Sequence, residues 1–359
     1  SDKQEVFLIE FEIQPGSALW NDAGRVEIFP TGMSLALVGY DSRAMKDLQI
    51  NGSCDLAYAL RKEARFRVNI FSGRQHYSIV LRKLQTVIPT LDDLKAPAIF
   101  KKIIEEKNGL VLVTGATGSG KSTTLAAMLR EMNGSTSMHI VTLEDPIEFV
   151  HESLKATFNQ RELGADFSSF PGGLRAALRQ APKVILVGEM RDRATLEIGL
   201  TAAETGHLVL STLHTVDAGQ TVNRIVGMFE KDQEEQIRTR LSETLRWVVC
   251  QRLLRKIGGG RVAAHEIMGA NLRSVELITQ GEDETKTYHG VIESSEPLGW
   301  QTFEGCLIKL YEEKKITEET AMLNTTRKNL MRQKIDYLKS QKGEVTSDLK
   351  NLAIDKEYD

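Results

Sequence analysis

A lysine and several glycines separate two apolar segments near the middle of the chain. The stretch GLVLVTGATGSGKSTTLAAML, residues 109–129, begins like a buried strand and continues like a helix. Glycines between these segments let the backbone turn tightly, so that successive N–H groups point at one spot before a helix N-terminus, where an anion is favoured. Lys121 adds a mobile positive charge there, and the Ser122 hydroxyl can ligate Mg²⁺. The stretch therefore predicts a site for a nucleoside triphosphate.

The spacing of this stretch matches the phosphate-binding pattern G-x-x-x-x-G-K-[ST] at every fixed position. A strand before the pattern and a helix after it are the context that this motif requires. The residues predicted to bind the nucleotide are Gly115, Thr117, Gly118, Ser119, Gly120, Lys121, Ser122 and Thr123. The loop alone does not say what the triphosphate drives.

Carboxylates follow two further apolar runs, where parallel strands would end. Glu189 follows KVILVG, and Glu144 and Glu148 follow HIVTL. Open α/β sheets bind ligands outside the carboxyl ends of their strands, so these acids are predicted to face the phosphates. Glu189 is the candidate for activating the attacking water or for holding the water shell of the metal, while Glu144 and Glu148 are candidates for holding a water of Mg²⁺ or for the base. The alternatives are a solvated acid at the strand end for Glu189 and an acidic turn begun by Asp-Pro for the other two.

Histidines and arginines elsewhere are candidates for contact with the γ-phosphate. His207 precedes and His214 follows the apolar run LVLSTL, and a histidine there could couple hydrolysis to movement, although a lone histidine is more often structural. Four arginines lie on the strand pair RFRVNIFSGRQHYSIVLRKL, namely Arg65, Arg67, Arg74 and Arg82. Arginines often stabilise a transferred phosphoryl group across an interface, and the alternative is that all four are solvated.

Composition restricts the class of protein. The 359 residues suffice for about two domains, and 26% charged residues with a net charge of −3 give no basic field that would indicate nucleic acid as a partner. Cys54, Cys250 and Cys306 have no C-x-x-C spacing, which predicts reduced thiols in a cytoplasmic protein and neither a zinc site nor a disulfide. No apolar run is close to the length of about 20 residues that a membrane-spanning helix needs. Any role at a membrane is therefore expected to need a partner.

The elements that must position these residues alternate along the chain. Strand-like and helix-like segments succeed one another over residues 97–270, which predicts an α/β core with a largely parallel sheet and helices on both faces. Residues 1–88 predict a smaller domain with an antiparallel sheet, joined by a linker at 89–96. We expect a helical region over 271–340 and a charged, mobile tail over 341–359.

Two segments near the end of the core have specific predictions. QEEQIRTRLSETLRWVVCQRLL, residues 233–254, is predicted to be one long amphipathic helix. RKIGGGRVAAHEIM, residues 255–268, is predicted to be a hairpin that turns at its glycines.

Five motifs, in order and spacing, resemble a known family. They are GATGSGKST, TLEDPIEFVH, VGEMRD, TAAETGHLVLSTLHT and KIGGGRVAAHEIM. Together they resemble the type IV pilus retraction ATPases, PilT and its paralogue PilU, within the type II/type IV secretion ATPase superfamily. The resemblance covers residues 64–322 and implies a RecA-like P-loop NTPase domain, an N-terminal PAS-like α+β domain and a helical C-terminal region.

The resemblance also implies roles and partners. HIVTLEDPIE corresponds to the family's Asp box, VILVGE to its atypical Walker B motif and TGHLVLSTLHT to its His box, while Arg67 and Arg82 stand at arginine-finger positions. It implies ATP with Mg²⁺, a cytoplasmic homohexamer, and a motor that couples hydrolysis to pilus retraction and twitching motility. The implied partners are an inner-membrane platform protein and a paralogous pilus ATPase. Neither nucleic acid nor direct membrane insertion is expected.

Several segments depart from the family and leave alternatives open. The usual opening stretch is not recognisable in residues 1–50, and RQAPK at 179–183 resembles PilU where PilT-type chains read Asp-Pro-Asp. NLRSVELITQ at 271–280 matches the PilT helix motif only loosely, whereas GEMRD is PilT-like. The alternatives are a PilU-like accessory motor, a secretion or pilus assembly ATPase, and a nucleotide-sensing regulator without enzymatic activity. Lack of a four-cysteine zinc motif favours the retraction branch.

Overall fold

The structure, a computed structural model, describes residues 6–10, 42–60, 64–73, 76–84 and 87–341. Three features considered in the sequence lie outside these ranges. They are the strand-like segment RVEIFP at residues 25–30, Arg74, and the tail beyond residue 341. The described residues form a four-stranded sheet, a seven-stranded sheet and the helices around them. This architecture confirms the predicted α/β class, while the proposed domain limits stay predictions.

The four-stranded sheet belongs to the N-terminal part of the chain and is antiparallel. Its strands are β1 (Val6–Glu10), β2 (Ser53–Leu60), β3 (Ala64–Gly73) and β4 (His76–Leu84), in the order β1-β4-β3-β2. Helix α1 (Ser42–Asn51) precedes β2 and buries Leu48 against Val68, Ile70 and Ile79. Val68 and Ile70 enter this core together because every second side chain points to the same face of a sheet.

The seven-stranded sheet forms the centre of the molecule. Its strands are β5 (Gly109–Thr114), β6 (His139–Glu144), β7 (Thr157–Glu162), β8 (Val184–Val187), β9 (Leu208–Leu213), β10 (Leu245–Arg255) and β11 (Arg261–Gly269). They lie in the order β11-β10-β5-β9-β8-β6-β7, and all are parallel except β11, which is antiparallel to β10. The largely parallel sheet predicted from the sequence is confirmed.

One helix precedes the first strand of this sheet, and the others lie between its parallel strands. They are α2 (Ile99–Ile103), α3 (Lys121–Ser135), α4 (Phe170–Ala177), α5 (Arg193–Glu204), α6 (Ala218–Val226) and α7 (Glu234–Thr244). The four aliphatic residues from Leu110 to Val113 are each 0% exposed, as expected for a strand that is covered on both faces.

The C-terminal region is helical, as the sequence predicts. Its helices are α8 (Leu272–Gln280), α9 (Tyr288–Ser294), α10 (Phe303–Glu312), α11 (Glu318–Asn324) and α12 (Lys328–Gln341). Asn271, Thr287, Thr302 and Thr317 precede the first four, and each side chain accepts a hydrogen bond from a backbone N–H of the first turn. In the described ranges, no helix combines the length and apolar character needed to span a bilayer.

The single helix predicted over residues 233–254 is wrong from Leu245 onward. Helix α7 ends at Thr244, and the rest of the segment is strand β10, which pairs with β5 on one side and β11 on the other. The run WVVC favours a strand because β-branched and aromatic side chains fit a pleated surface, and the two neighbouring strands decide the outcome. The predicted hairpin is confirmed: β10 and β11 are joined through Gly258–Gly260, all with positive φ.

Candidate active site

Four neighbouring strands bring the predicted site residues to one edge of the large sheet. The strands are β5, β9, β8 and β6, which are parallel and adjacent. The glycine-rich loop follows β5, His214 follows β9, Glu189 lies just beyond β8, and Glu144 is the last residue of β6. We call this edge the phosphate edge; it is where open α/β sheets bind ligands.

The loop after β5 requires glycine at defined points. Gly115, Gly118 and Gly120 have φ values of 143°, 79° and 90°, a region that L side chains rarely adopt. A Cβ at Gly115 would also collide with the carbonyl oxygen of Gln251. Gly120 is the residue immediately before helix α3, so the loop leads its backbone directly into a helix N-terminus.

The ammonium group of Lys121 faces the backbone of this loop. It is 9% exposed, and its Nζ donates to the carbonyl oxygens of Gly115 at 2.8 Å and Ala116 at 3.1 Å. Burial lowers the pKa of Lys121, whereas the carboxylates of Glu189 and Glu148 act to raise it. Both acids are therefore close enough to exert their charge on the lysine.

The loop and the first turn of α3 also carry hydroxyl groups that could donate hydrogen bonds to an anion. The Ser119 hydroxyl is buried and has no hydrogen-bond partner among the described residues. Ser122 and Thr123 are half-buried in the first turn of α3, and Thr117 is exposed at the tip of the loop. Hydroxyl groups, a helix N-terminus and a lysine form the donor set that nucleotide phosphates require.

Glu189 and His214 meet at the centre of the phosphate edge. His214 Nε2 lies 3.3 Å from Glu189 Oε2, and Arg191 Nε lies 2.8 Å from the same oxygen. The side chain of Glu189 is 17% exposed, whereas those of both partners are far more accessible. The carboxylate is thus oriented by two nitrogen groups, one of which, Arg191, was not a sequence candidate.

Glu144 is held more tightly than the other acids. Its Oε1 accepts hydrogen bonds from Thr142 Oγ1 at 2.6 Å and Gln160 Nε2 at 3.1 Å. Burial raises the pKa of Glu144, and the neighbouring charge of Glu148 acts in the same direction, while the hydrogen bonds lower it. A carboxyl group with a raised pKa is better suited to accept a proton near neutral pH.

Gln160, on β7, fastens the acidic segment after β6. Its Nε2 also donates to Phe149 O at 2.8 Å, and its Oε1 accepts from the His151 N–H at 2.7 Å. The half-buried Glu148 lies within this fastened segment. The side chain of one residue therefore positions both the carboxylate of Glu144 and the loop that carries Glu148.

His207 is not brought to the phosphate edge of its own chain. Its backbone oxygen accepts from the Gly109 N–H at 3.0 Å, at the start of β5, whereas the phosphate loop follows the end of that strand. Its ring Nδ1 lies 3.0 Å from Ala202 O, at the end of α5. Since His207 precedes β9 and His214 follows it, a strand length separates the two histidines within one chain. The role of His207 stays a prediction.

Arg67 and Arg82 lie on the N-terminal sheet and face one another. They are directly opposite in the β3–β4 register; Arg82 is exposed, and Arg67 Nε is 3.9 Å from Asp55 Oδ1. It is Arg65, with its NH2 3.9 Å from Glu162 Oε2, that reaches the seven-stranded sheet. The role of Arg67 and Arg82 as arginine fingers stays a prediction.

Comparisons with known proteins identify the family. A model of the Type II/IV secretion system protein family matches residues 43–348. The type IV pilus retractation ATPase PilT of Pseudomonas aeruginosa is 45% identical over 281 residues, 78% of this chain and 81% of that protein. The type IV pilus ATPase PilU of the same organism is 41% identical over 288 residues, 80% of this chain and 75% of that protein.

A solved structure agrees with these relatives. A crystal structure of the pilus retraction motor PilT with bound ADP has a TM-score of 0.74 and 43% identity, and the match covers 82% of this chain and 84% of that one. The chain belongs to the type II/IV secretion ATPases, which are nucleotide-binding enzymes that hydrolyse ATP. Within them it is a member of the PilT/PilU-like type IV pilus ATPases, which confirms the resemblance seen in the sequence.

Proposed function

We propose that this chain is the ATP-hydrolysing motor of type IV pilus retraction. The observation that carries the proposal is the convergence, at one sheet edge, of the Lys121 loop with the Glu189–His214 pair. A nucleotide sensor needs the loop but has no need of an oriented carboxylate beside it. The names of the PilT relatives supply the pilus as the object of the motor.

The residues of the phosphate edge suit hydrolysis of the γ-phosphate. Lys121 and the N–H groups of the loop bind the phosphates, while Glu189 orients a water molecule and accepts its proton. Mg²⁺ would neutralise charge on the phosphates, with the Ser122 hydroxyl as its ligand and Glu144 holding one of its waters. Among the described residues, no cluster of three or more acidic, histidine or cysteine side chains could hold a metal ion.

A homohexameric ring would complete the positive charge at the site. Like charges directly opposite one another weaken a sheet, so the juxtaposed Arg67 and Arg82 favour a role in binding an anion. In a ring, this pair would contact the γ-phosphate bound by a neighbouring subunit. The motor would work at the inner face of the cytoplasmic membrane, through a pilus platform protein and alongside a paralogous pilus ATPase.

An accessory, PilU-like motor is the second candidate. Its support is the RQAPK segment, which precedes β8 and therefore lies at the sheet edge opposite Glu189. That position explains why such a departure would leave hydrolysis intact. Identity is higher to PilT, at 45%, than to PilU, at 41%, so the relatives do not favour this candidate.

Direct observation of pili tests the proposal. The chain is expressed in a host that lacks both retraction ATPases, and labelled pili are followed by fluorescence microscopy. Sustained retraction is expected, and Lys121→Ala should abolish it. Retraction only when a companion ATPase is restored would instead support the accessory motor, and new pilus growth in a host without its assembly ATPase would support an assembly role.

A further inference from the structure

A buried glutamine of the central sheet lies against the phosphate loop. Gln251 is on β10, the strand next to β5, and is 3% exposed. Its side-chain Nε2 donates to the Ser119 carbonyl oxygen at 2.6 Å, and its Oε1 accepts from Thr124 Oγ1 at 2.8 Å. One side chain thus joins the loop to the first turn of α3.

The two contacts fix the orientation of the Gln251 amide. A carbonyl oxygen is only an acceptor, so Ser119 O must face the NH₂ of the amide. The Thr124 hydroxyl then supplies the donor for Oε1. Rotating the amide by half a turn would place Oε1 against Ser119 O, two acceptors in contact, which is unfavourable in a buried place.

The orientation of Ser119 O sets that of the next backbone donor. A peptide bond is planar and trans, so the C=O of Ser119 and the N–H of Gly120 point in opposite directions. Because the oxygen is drawn towards β10, the Gly120 N–H points away from β10. Gly120 immediately precedes α3, where free N–H groups bind phosphate.

Gln251 also lies close to two of the three glycines of the loop. A Cβ at Gly120 would lie 2.8 Å from Gln251 Nε2, and one at Gly115 would collide with the Gln251 backbone oxygen. At Gly118, by contrast, a Cβ would meet nothing within 4 Å. Positive φ favours glycine at all three positions, and the close approach of Gln251 is a second reason at Gly115 and Gly120.

We propose that Gln251 is a positioning residue for nucleotide binding. It does not touch the nucleotide; its amide holds the Ser119–Gly120 peptide so that the Gly120 N–H faces the phosphates. The proposal rests on the assigned phosphate site and adds a residue to it from outside the loop and helix. Thr124 assists by keeping the amide from rotating.

Four variants of the full chain test this role. Gln251→Leu removes both hydrogen bonds, Gln251→Glu replaces the donor, and Thr124→Val removes only the hydroxyl that orients the amide. Gln301→Leu is the matched control, because Gln301 Nε2 donates to the backbone oxygen of His265 at 3.1 Å, on the neighbouring strand β11. The measurements are the affinity for fluorescent N-methylanthraniloyl-ADP, kcat and KM for ATP, and the melting temperature without nucleotide.

Gln251→Leu is expected to weaken nucleotide affinity about tenfold, the effect of one misdirected donor and one unpaired acceptor. KM should rise more than kcat falls, because the groups that carry out hydrolysis are unchanged. Thr124→Val should weaken affinity less, by about threefold. Gln301→Leu should lower the melting temperature about as much as Gln251→Leu does, but it should leave nucleotide affinity unchanged.

Gln251→Glu gives a signature that a purely structural role would not produce. A protonated glutamic acid donates to Ser119 O and accepts from Thr124, as the amide does, whereas the carboxylate repels Ser119 O. The affinity of this variant should therefore recover as pH falls and be lost as pH rises, relative to the wild type. Nucleotide affinity that is unchanged in Gln251→Leu, or that follows pH in Gln251→Glu as in the wild type, overturns the proposal.

The outcomes remain distinct if a variant does not fold. Should Gln251→Leu fail to fold, the pH dependence of Gln251→Glu and the affinity of Thr124→Val decide the matter. Absence of nucleotide binding in the wild-type chain would contradict the assigned phosphate site itself, and not the role of Gln251 within it.

Discussion

The phosphate edge and the arginine pair hold their charged groups in different ways. Lys121, Glu189 and Glu144 each have two polar contacts at 3.3 Å or less, on segments that follow buried parallel strands. Arg67 and Arg82 face each other on the small sheet, with Asp55 at 3.9 Å beside the first. The difference teaches that one chain already orders the groups that we propose act on ATP, whereas Asp55, at 3.9 Å, is a more distant partner for the paired arginines.

Loss of the lysine should have the largest effect on turnover. Lys121→Ala is expected to abolish ATP hydrolysis without unfolding the chain, because the ammonium group donates to two carbonyl oxygens of the proposed phosphate loop. Steady-state phosphate release and a thermal melt measure the two properties. The control is Lys155→Ala, since Lys155 is exposed and contacts Ser135 O at the other end of α3. Turnover near the wild-type rate in Lys121→Ala would rule out this loop as the active site.

Glu189→Gln should lower kcat by about 10²-fold or more while ATP binding persists, because the amide keeps the size of the acid and loses its basicity. Glu148→Gln provides the comparison within the same edge. Single-turnover hydrolysis and nucleotide binding are measured for both. If the large loss occurs in Glu148→Gln and not in Glu189→Gln, Glu148 is the principal base.

The arginines should matter for turnover and little for affinity. Arg67→Ala and Arg82→Ala are each expected to lower kcat about tenfold, less than a lone arginine finger because the two share the charge. Arg→Lys should rescue poorly, since an ammonium lacks the planar pair of donors. Unchanged kcat in both alanine variants would return these residues to ordinary solvated arginines.

Mixed assemblies sharpen this test. Lys121→Ala chains keep their arginines, and Arg67→Ala chains keep their phosphate loop. If the arginine acts on the nucleotide of a neighbouring subunit, mixing the inactive Lys121→Ala protein with the impaired Arg67→Ala protein should give more activity than the sum of the two. Activity that stays at the sum of the separate proteins would place the arginine within its own chain.

The smallest effect on turnover, with a clear effect on stability, is expected at Glu266. This buried acid accepts from the Ala218 N–H at 2.9 Å, and burial raises its pKa from 4.5 to about 7, with Asp217 and Glu304 adding to the rise. The folded chain therefore binds more protons than the unfolded chain between these pH values, so this contribution to stability is lost as pH rises through about 7. Between pH 5 and 8, urea unfolding of Glu266→Gln should lose about 2–3 kcal/mol less than the wild type. Equal losses would refute the shift.

The sequence predicts the phosphate edge better than it predicts what supports it. Glu144, Glu189 and His214 were found because parallel strands end at one edge, a rule that needs only strand positions. Gln251 was missed because one glutamine in an apolar run carries no sign of the loop it contacts. Strand β10 itself was missed because its pattern also fits a helix, and its pairing with β5 depends on residues more than a hundred positions earlier.

Features set between distant segments were beyond the sequence for the same reason. His207 and His214 are the exception, because the order of His207, β9 and His214 along the chain already places only His214 at the phosphate edge. Glu189 forms an ion pair with Arg191, two residues away, whereas Gln160 reaches Glu144 only through the pairing of β6 with β7. The local sequence pattern therefore predicts the acids, whereas the contact between Gln160 and Glu144 depends on strand pairing.

Strand β7 sets a limit on how this protein can be made more stable. It is an edge strand of the large sheet, and its sequence, TFNQRE, is mostly polar, which suits an edge that must not pair with other chains. A β-branched residue at position 160 would raise strand propensity. It would also leave Glu144 Oε1 with Thr142 as its one remaining side-chain donor and would release the segment held at Phe149 and His151. A gain in strand propensity at position 160 would therefore be opposed by the loss of the contacts that orient Glu144, which we propose acts on the nucleotide.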